Sequence, residues 1–261
     1  MTFPESPRVV YSKNPLAEVI CQLKFPPILR IESEPPAQFQ EKIRRDYPLM
    51  TETTFDQPPL PPAIARALGQ ALPGFIQGRT YSFETPDRDW KIGITREFLA
   101  LSSTHYSRWE DFRQRLRRAL DALMTTYQPS FLVRVGLRYR NVIRKDIAGM
   151  KDADWSQLLE PHILGELSDP TLAKAVLHSA HDVIISLGEN EGQVRILHGL
   201  IKEGEQQESN YAIDSDFFRE VTTEVGDAFK YLDSFNEEAG RLFRWCITTL
   251  LHDHLGASEL H

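Results

Sequence analysis

The sequence predicts an α+β protein of two similar halves, each running strand, helix, three-strand antiparallel meander and long helix. Three observations carry this reading. Residues 17–25 and 131–143 alternate apolar and polar side chains, a cluster of three short strands follows each, and two amphipathic helices open on the same Ser-x-x-Glu spacing.

In the first half, Ala17, Val19, Cys21, Leu23 and Phe25 fall on one strand face and Glu18, Ile20, Gln22 and Lys24 on the other, with Pro26-Pro27 ending the strand. A helix fits 37–46, with Phe39 and Ile43 four apart as its buried stripe and Pro48 as its stop. Residues 49–73 contain Pro58, Pro59, Pro61, Pro62 and Pro73 and read as an extended excursion, with a helical turn or two within 63–72. Strands follow at 75–84, 90–95 and 98–104, parted by the turn-like Pro86-Asp87-Arg88-Asp89 and by Arg96-Glu97. Ser107 and Glu110 have capping-box spacing, and the helix they open carries a stripe of Trp109, Phe112, Leu116, Ala119, Leu120, Leu123 and Met124 before Pro129.

The second half repeats the order. Val133, Val135, Leu137 and Tyr139 share one strand face, and Arg134, Gly136, Arg138 and Arg140 the other. A helix at 155–164 precedes strands near 175–187, 193–201 and 210–213, and an additional helix is expected at about 218–232. The last helix opens at Ser234 and Glu237. Its stripe of Ala239, Phe243, Cys246, Ile247, Leu250 and Leu251 matches Phe112, Leu116, Ala119, Leu120, Leu123 and Met124 at a constant separation of 127 residues. The expected domains are therefore 1–128 and 129–261, related by a pseudo-twofold duplication. The TATA-binding-protein and helix-grip architectures have this general look, which is a likeness of shape and not of activity.

The stretch Asn14-Pro15-Leu16-Ala17-Glu18-Val19-Ile20-Cys21-Gln22-Leu23-Lys24-Phe25-Pro26-Pro27 resembles the opening signature of a sporadically distributed family of uncharacterised bacterial proteins of this length. Segments 101–109, 134–141, 211–216 and 243–248 look similar too. The resemblance implies a bacterial protein in a defence-related or mobile-gene setting and supplies no catalytic residues.

With 261 residues, 41% of them apolar, the chain can bury a large core. No apolar run approaches the roughly 20 residues that span a bilayer, and residues 1–8 lack a basic start followed by an apolar stretch, so the expectation is a cytoplasmic protein without membrane association. Cys21 and Cys246 sit inside apolar patterns, as buried free thiols in a reducing compartment do. A net charge of −7 argues against indiscriminate nucleic-acid binding. The charge is uneven: residues 134–145 carry five basic and no acidic side chains, whereas 146–261 carry eight basic and 22 acidic.

Alternation would project Arg134, Arg138 and Arg140 from one sheet face, near the polar face that carries Gln22 and Lys24. Guanidinium forks suit carboxylates and phosphates, so these five residues are the candidate ligand site. The competing reading is a set of solvated or intramolecular pairs, Glu18 with an arginine for example, which outward-facing strand charges ordinarily form. Asp214-Ser215-Asp216 has carboxylates spaced for a divalent metal, but a strand end before a helix would make Asp216 a cap. His252 and His254 are splayed by a helix, and His178 and His181, three apart on a strand or its approach, face opposite sides, so neither pair reads as a metal site.

Neither cysteine has an activating neighbour, and the nucleophile elbow, the phosphate-cradling Gly-rich loop and the His-Glu-x-x-His motif are all missing. The expectation is a non-catalytic binding or adaptor protein without cofactor or metal, holding an anionic ligand or a protein partner on a concave sheet and self-associating or joining a small complex. The alternatives are a nucleic-acid binder using the basic strand and a metal-dependent hydrolase or nuclease at Asp214 and Asp216.

Overall fold

The structure, a computed structural model, describes residues 2–55, 78–202 and 209–259. After β1 (Val9–Tyr11), the first half forms β2 (Leu16–Lys24), the short helices α1 (Leu29–Ser33) and α2 (Ala37–Ile43), and strand β3 (Leu49–Phe55). Strands β4 (Gly78–Glu84), β5 (Trp90–Ile94) and β6 (Phe98–Ser103) then lead into the 19-residue α3 (Trp109–Tyr127). The second half forms β7 (Arg134–Ile143), the helical turns α4 (Lys145–Ala148), α5 (Trp155–Leu158) and α6 (Pro161–Leu164), and strands β8 (Ala180–Ser186), β9 (Gln193–Ile201) and β10 (Asn210–Arg219). The 19-residue α7 (Ala228–Cys246), α8 (Thr249–His254) and β11 (Ala257–Glu259) complete it.

Nine strands form one sheet in the order β3-β4-β5-β6-β2-β7-β10-β9-β8, and β1 pairs with β11 in a separate antiparallel ribbon. The β4-β5-β6 meander is antiparallel, and so are the β3–β4, β2–β6 and β8–β9 pairs. By packing, the chain divides into two units. A terminal unit comprises Met1–Glu18, Arg138–Phe217 and Leu232–His261, and a central unit comprises Val19–Leu137 and Phe218–Tyr231.

The alternating pattern works as expected in the central unit. Val19, Cys21 and Leu23 are buried while Ile20, Gln22 and Lys24 are half-buried, and Trp90, Ile92, Ile94, Leu99 and Leu101 continue the core. The stripe on α3 buries Trp109, Phe112, Leu116, Ala119, Leu120 and Leu123 against it. Phe112 packs on Trp90 with ring centroids 5.7 Å apart, and Phe39 of α2 meets Phe83 of β4 at 5.8 Å. In the terminal unit Leu232, Phe235, Leu242 and Cys246 of α7 are buried, Phe235 lies 6.2 Å from Phe217 of β10, and Tyr139 of β7 donates to Asn236 at 2.9 Å.

Several elements differ from expectation. Residues 49–55 are a strand and not part of an excursion. Three threonines favour extended backbone there, and the ladder with β4 fixes it. The rest of that proline-rich stretch, 56–73, and the first residues of the strand expected at 75–84 lie outside the described residues. Val133 precedes β7 and is exposed, so it does not share the buried face of Val135, Leu137 and Tyr139. The helix expected at 155–164 is two short helices. Asp154 and Gln157 cap the first reciprocally, and Pro161, lacking an amide, begins the second. The strand expected from 175 begins at Ala180.

The largest differences lie beyond residue 210. β10 runs through Asp214, Ser215 and Asp216 to Arg219, so these carboxylates sit inside a strand and Asp216 caps nothing. Instead of a helix at 218–232 there is the end of β10, a 3₁₀ turn at Val225–Asp227, and the opening of α7 at Ala228. Ser234 and Glu237 therefore lie inside α7. On α3 the expected cap is displaced by one residue, with Arg108 at the N-cap.

The stripe registration moves as well. Leu250 is 40% exposed and belongs to α8, whereas Leu232, Phe235, Ala239, Leu242, Phe243 and Cys246 are buried at the positions of Trp109, Phe112, Leu116, Ala119, Leu120 and Leu123, a separation of 123 residues. A shift of four is about one helical turn, so periodicity finds the buried face without finding the turn.

Candidate functional site

The predicted arginine stripe exists, since Arg134, Gly136, Arg138 and Arg140 alternate with the buried Val135, Leu137 and Tyr139 of β7. What its members do differs between the two units.

In the central unit Arg134 lies flat on the sheet and is only 7% exposed. It donates to Gln22 Oε1 at 3.2 Å, approaches Glu220 Oε1 at 3.5 Å, and holds its guanidinium 5.1 Å from the centre of the Phe218 ring. Gly136 makes this path available, because a Cβ there would stand 2.8 Å from Arg134 Cζ. Gly136→Ala is therefore expected to cost about 1–3 kcal/mol in urea denaturation, and most of that cost should disappear in an Arg134→Ala background. Lys24 is half-buried on β2, and its main-chain carbonyl accepts from Val133 N–H at 2.8 Å.

In the terminal unit Arg138 is forked onto Asp214, with Nε donating to Oδ1 at 2.7 Å and Nη2 donating to Oδ2. Those bonds, with further help from Asp216 and Glu18, push the guanidinium above its ordinary range against the opposing effect of burial. A second fork lies on the same sheet, where Arg195 Nε and Nη2 reach Asp182 at 2.9 and 2.6 Å. Hydrogen bonds from Arg195 hold the Asp182 carboxyl below its usual range. Arg140 is half-buried on β7. Glu18, Arg138, Asp214, Arg195 and Asp182 thus come from five successive strands of the sheet order with alternating sign. The stripe and an intramolecular carboxylate partner such as Glu18 are legible from sequence, but not that Asp214 is the carboxylate Arg138 grips. Asp182 and Arg195 were missed outright, although each sits at an alternating strand position.

A second cluster in this unit also went unread. His181 and His198 are cross-strand partners with ring centroids 4.9 Å apart and planes 16° from parallel. Tyr211 donates its hydroxyl proton to Ile163 O at 2.7 Å, so the 2.9 Å contact between His198 Nδ1 and the Tyr211 oxygen requires a protonated Nδ1. His162 stacks on Trp245 at 3.8 Å. Burial, followed by His181 and His162, lowers His198 from 6.5 to about 4.

A depressed histidine binds its proton more readily when unfolded, so stability is complete above about pH 6.5 and is lost as pH falls toward about 4. With a discount for its partial exposure, His198 should account for about 1–2 kcal/mol of that loss. Urea titrations at pH 7.5 and 4.5 should show His198→Asn with a flatter acid limb than the wild type; parallel limbs would contradict the assignment. Among the described residues no group of three or more His, Cys, Asp or Glu side chains is arranged to hold a metal ion. Burial drives the Cys21 thiol upward and Cys246 up to about 12, so neither is a nucleophile at neutral pH. No helix among the described residues is long and apolar enough to cross a membrane.

Compared with known proteins, the chain matches no family model and no curated protein.

Proposed function

We propose that this is a non-catalytic binding or adaptor protein that self-associates through the charged face of the sheet in its terminal unit. The observation that carries the reading is the Arg138–Asp214 fork. The most anion-attracting feature of the sequence already holds a carboxylate, and Arg195 and Asp182 repeat the arrangement two strands away. A face of alternating sign can complement another of its kind at short range.

The same observation weakens the other readings. A polyanion would have to displace Asp214 and approach the acidic 146–261 region, and a divalent cation at Asp214 and Asp216 would sit in the field of Arg138 and Arg195. A free anionic ligand on Arg134, Arg138, Arg140, Gln22 and Lys24 faces the same competition. In this reading the protein works in a reducing bacterial cytoplasm in a defence-related setting, which its gene neighbours would test.

The reading includes an internal duplication of TATA-binding-protein or helix-grip type, with halves at 1–128 and 129–261. Its support is the sheet order, in which β4-β5-β6-β2 and β8-β9-β10-β7 each lay the half's first strand beside its last, and the buried stripes of α3 and α7.

Sedimentation velocity tests the association. A dimer should form at micromolar concentration, weaken as salt rises, and dissociate in Asp216→Lys and Arg195→Glu variants that keep the wild-type circular dichroism. A chain that stays monomeric, or a dimer indifferent to both charge reversals, removes the reading.

A further inference from the structure

The nine-stranded sheet ends on β8, which pairs with β9 on one side and, among the described residues, with no strand on the other. Leu187 N–H donates to Gly192 O at 3.0 Å, one step beyond the paired Ser186 and Gln193. Hydrogen-bonded pairs alternate along an antiparallel ladder, so His181, Val183 and Ile185 turn their amides and carbonyls to β9. Asp182, Ile184 and Ser186 turn theirs outward, along the open edge.

Proteins ordinarily blunt such an edge with a lysine, a proline or a bulge. β8 contains neither lysine nor proline, and its register with β9 is unbroken from Ala180 to Ser186. Val183 is 43% exposed on one face of the strand and Ile184 is 60% exposed on the other. The strand's single carboxylate, Asp182, is already held by Arg195, so its charge does little to repel a like strand.

The apolar pattern also fits itself. A twofold axis normal to the sheet keeps each face on its own side. An axis through Ile184 sets that residue against its own counterpart, Val183 against Ile185, and Asp182 against Ser186 of the second copy. The outward amides and carbonyls are then the ones that meet. An axis through Val183 would instead press Asp182 onto Ile184.

We propose that β8 is a second interaction surface, at which two copies of this chain pair antiparallel about Ile184 and join their sheets. It borders the charged face of the proposed function and works differently, through main-chain hydrogen bonds and aliphatic contacts that salt does not screen. One seven-residue strand covers far less area than a standard interface, so the pairing belongs at high protein concentration.

Sedimentation equilibrium at about 0.2 mM protein in about 0.5 M salt tests this in an Asp216→Lys background, because that reversal on β10 removes association through the charged face and leaves β8 intact. Dimers are expected. Adding Ile184→Lys or Ile184→Pro should weaken them at least about tenfold while circular dichroism stays that of the wild type, since the side chain is exposed and proline is tolerated where the amide points outward. A chain that stays monomeric, a dimer that survives both substitutions at Ile184, or one that dissolves as salt rises would overturn the proposal. Failure of the charged face alone reads differently: the wild type would then be indifferent to Asp216→Lys and still lose its dimer with Ile184→Lys.

Discussion

Asp214→Ala is expected to destabilise the protein by about 2–4 kcal/mol, because it strands the Arg138 guanidinium on a sheet face where only 22% of that side chain reaches water. Both oxygens of Asp214 are used, one by Nε and one by Nη2. Glu18 and Asp216 contribute field and do not replace the fork. Asp214→Asn keeps an acceptor without the charge and should cost about half as much. Replacing both partners, as Arg138→Leu with Asp214→Leu, should recover most of the loss, since desolvation cancels much of a half-buried pair's attraction. Urea denaturation of the four proteins measures this directly. An Asp214→Ala cost below about 0.5 kcal/mol would mean that solvent serves Arg138 as well as the carboxylate does.

The second large effect is at Glu238, which is 5% exposed on α7. Its Oε2 accepts from the amides of Thr2 and Phe3 at 3.1 and 3.3 Å, and its Oε1 accepts from Arg241 at 2.7 Å. Glu238→Ala leaves two amides without their acceptor and Arg241 with only its 3.9 Å contact to Glu237, and a loss of about 3–5 kcal/mol is expected. The first segment is otherwise anchored by Phe3, which is 5% exposed and packs 5.6 Å from Trp245. Part of the loss should therefore be local. Hydrogen exchange should rise first at residues 2–11 and over the β1–β11 ribbon, with Glu238→Gln intermediate. Uniform acceleration across the terminal unit would show instead that the anchor and the core open together.

What was legible in the sequence follows from the range of the interactions involved. β2, β5, β6 and β9 show themselves by alternation, and α3 by a stripe with a strong stop, because burial on one face writes a local period into the chain. β3 lacks that mark. Among the described residues it is an edge strand, with Leu49 and Met50 39% and 41% exposed, so its pairing with β4 leaves little trace in hydrophobicity. β10 is longer than expected because Asp216 reads as the cap of a helix at 218–232 that the chain does not form. The alternation continues through the buried Ser215, Phe217 and Arg219, of which only Phe217 is apolar.

The site divides the same way. Three arginines at alternating positions are a local pattern and could be read, whereas Asp214 lies 76 residues from Arg138 and meets it only through strand order.

The two sealed thiols give the molecule a pair of clocks. Cys21 belongs to the central unit and Cys246 to the terminal unit, both are fully buried, and burial keeps both protonated. An alkylating reagent can reach either one only while its surroundings are open, so the mass gained at each cysteine counts the openings of one unit without reference to the other. Equal labelling rates would describe a chain that opens as one body, and unequal rates would order the two units by how often each comes apart.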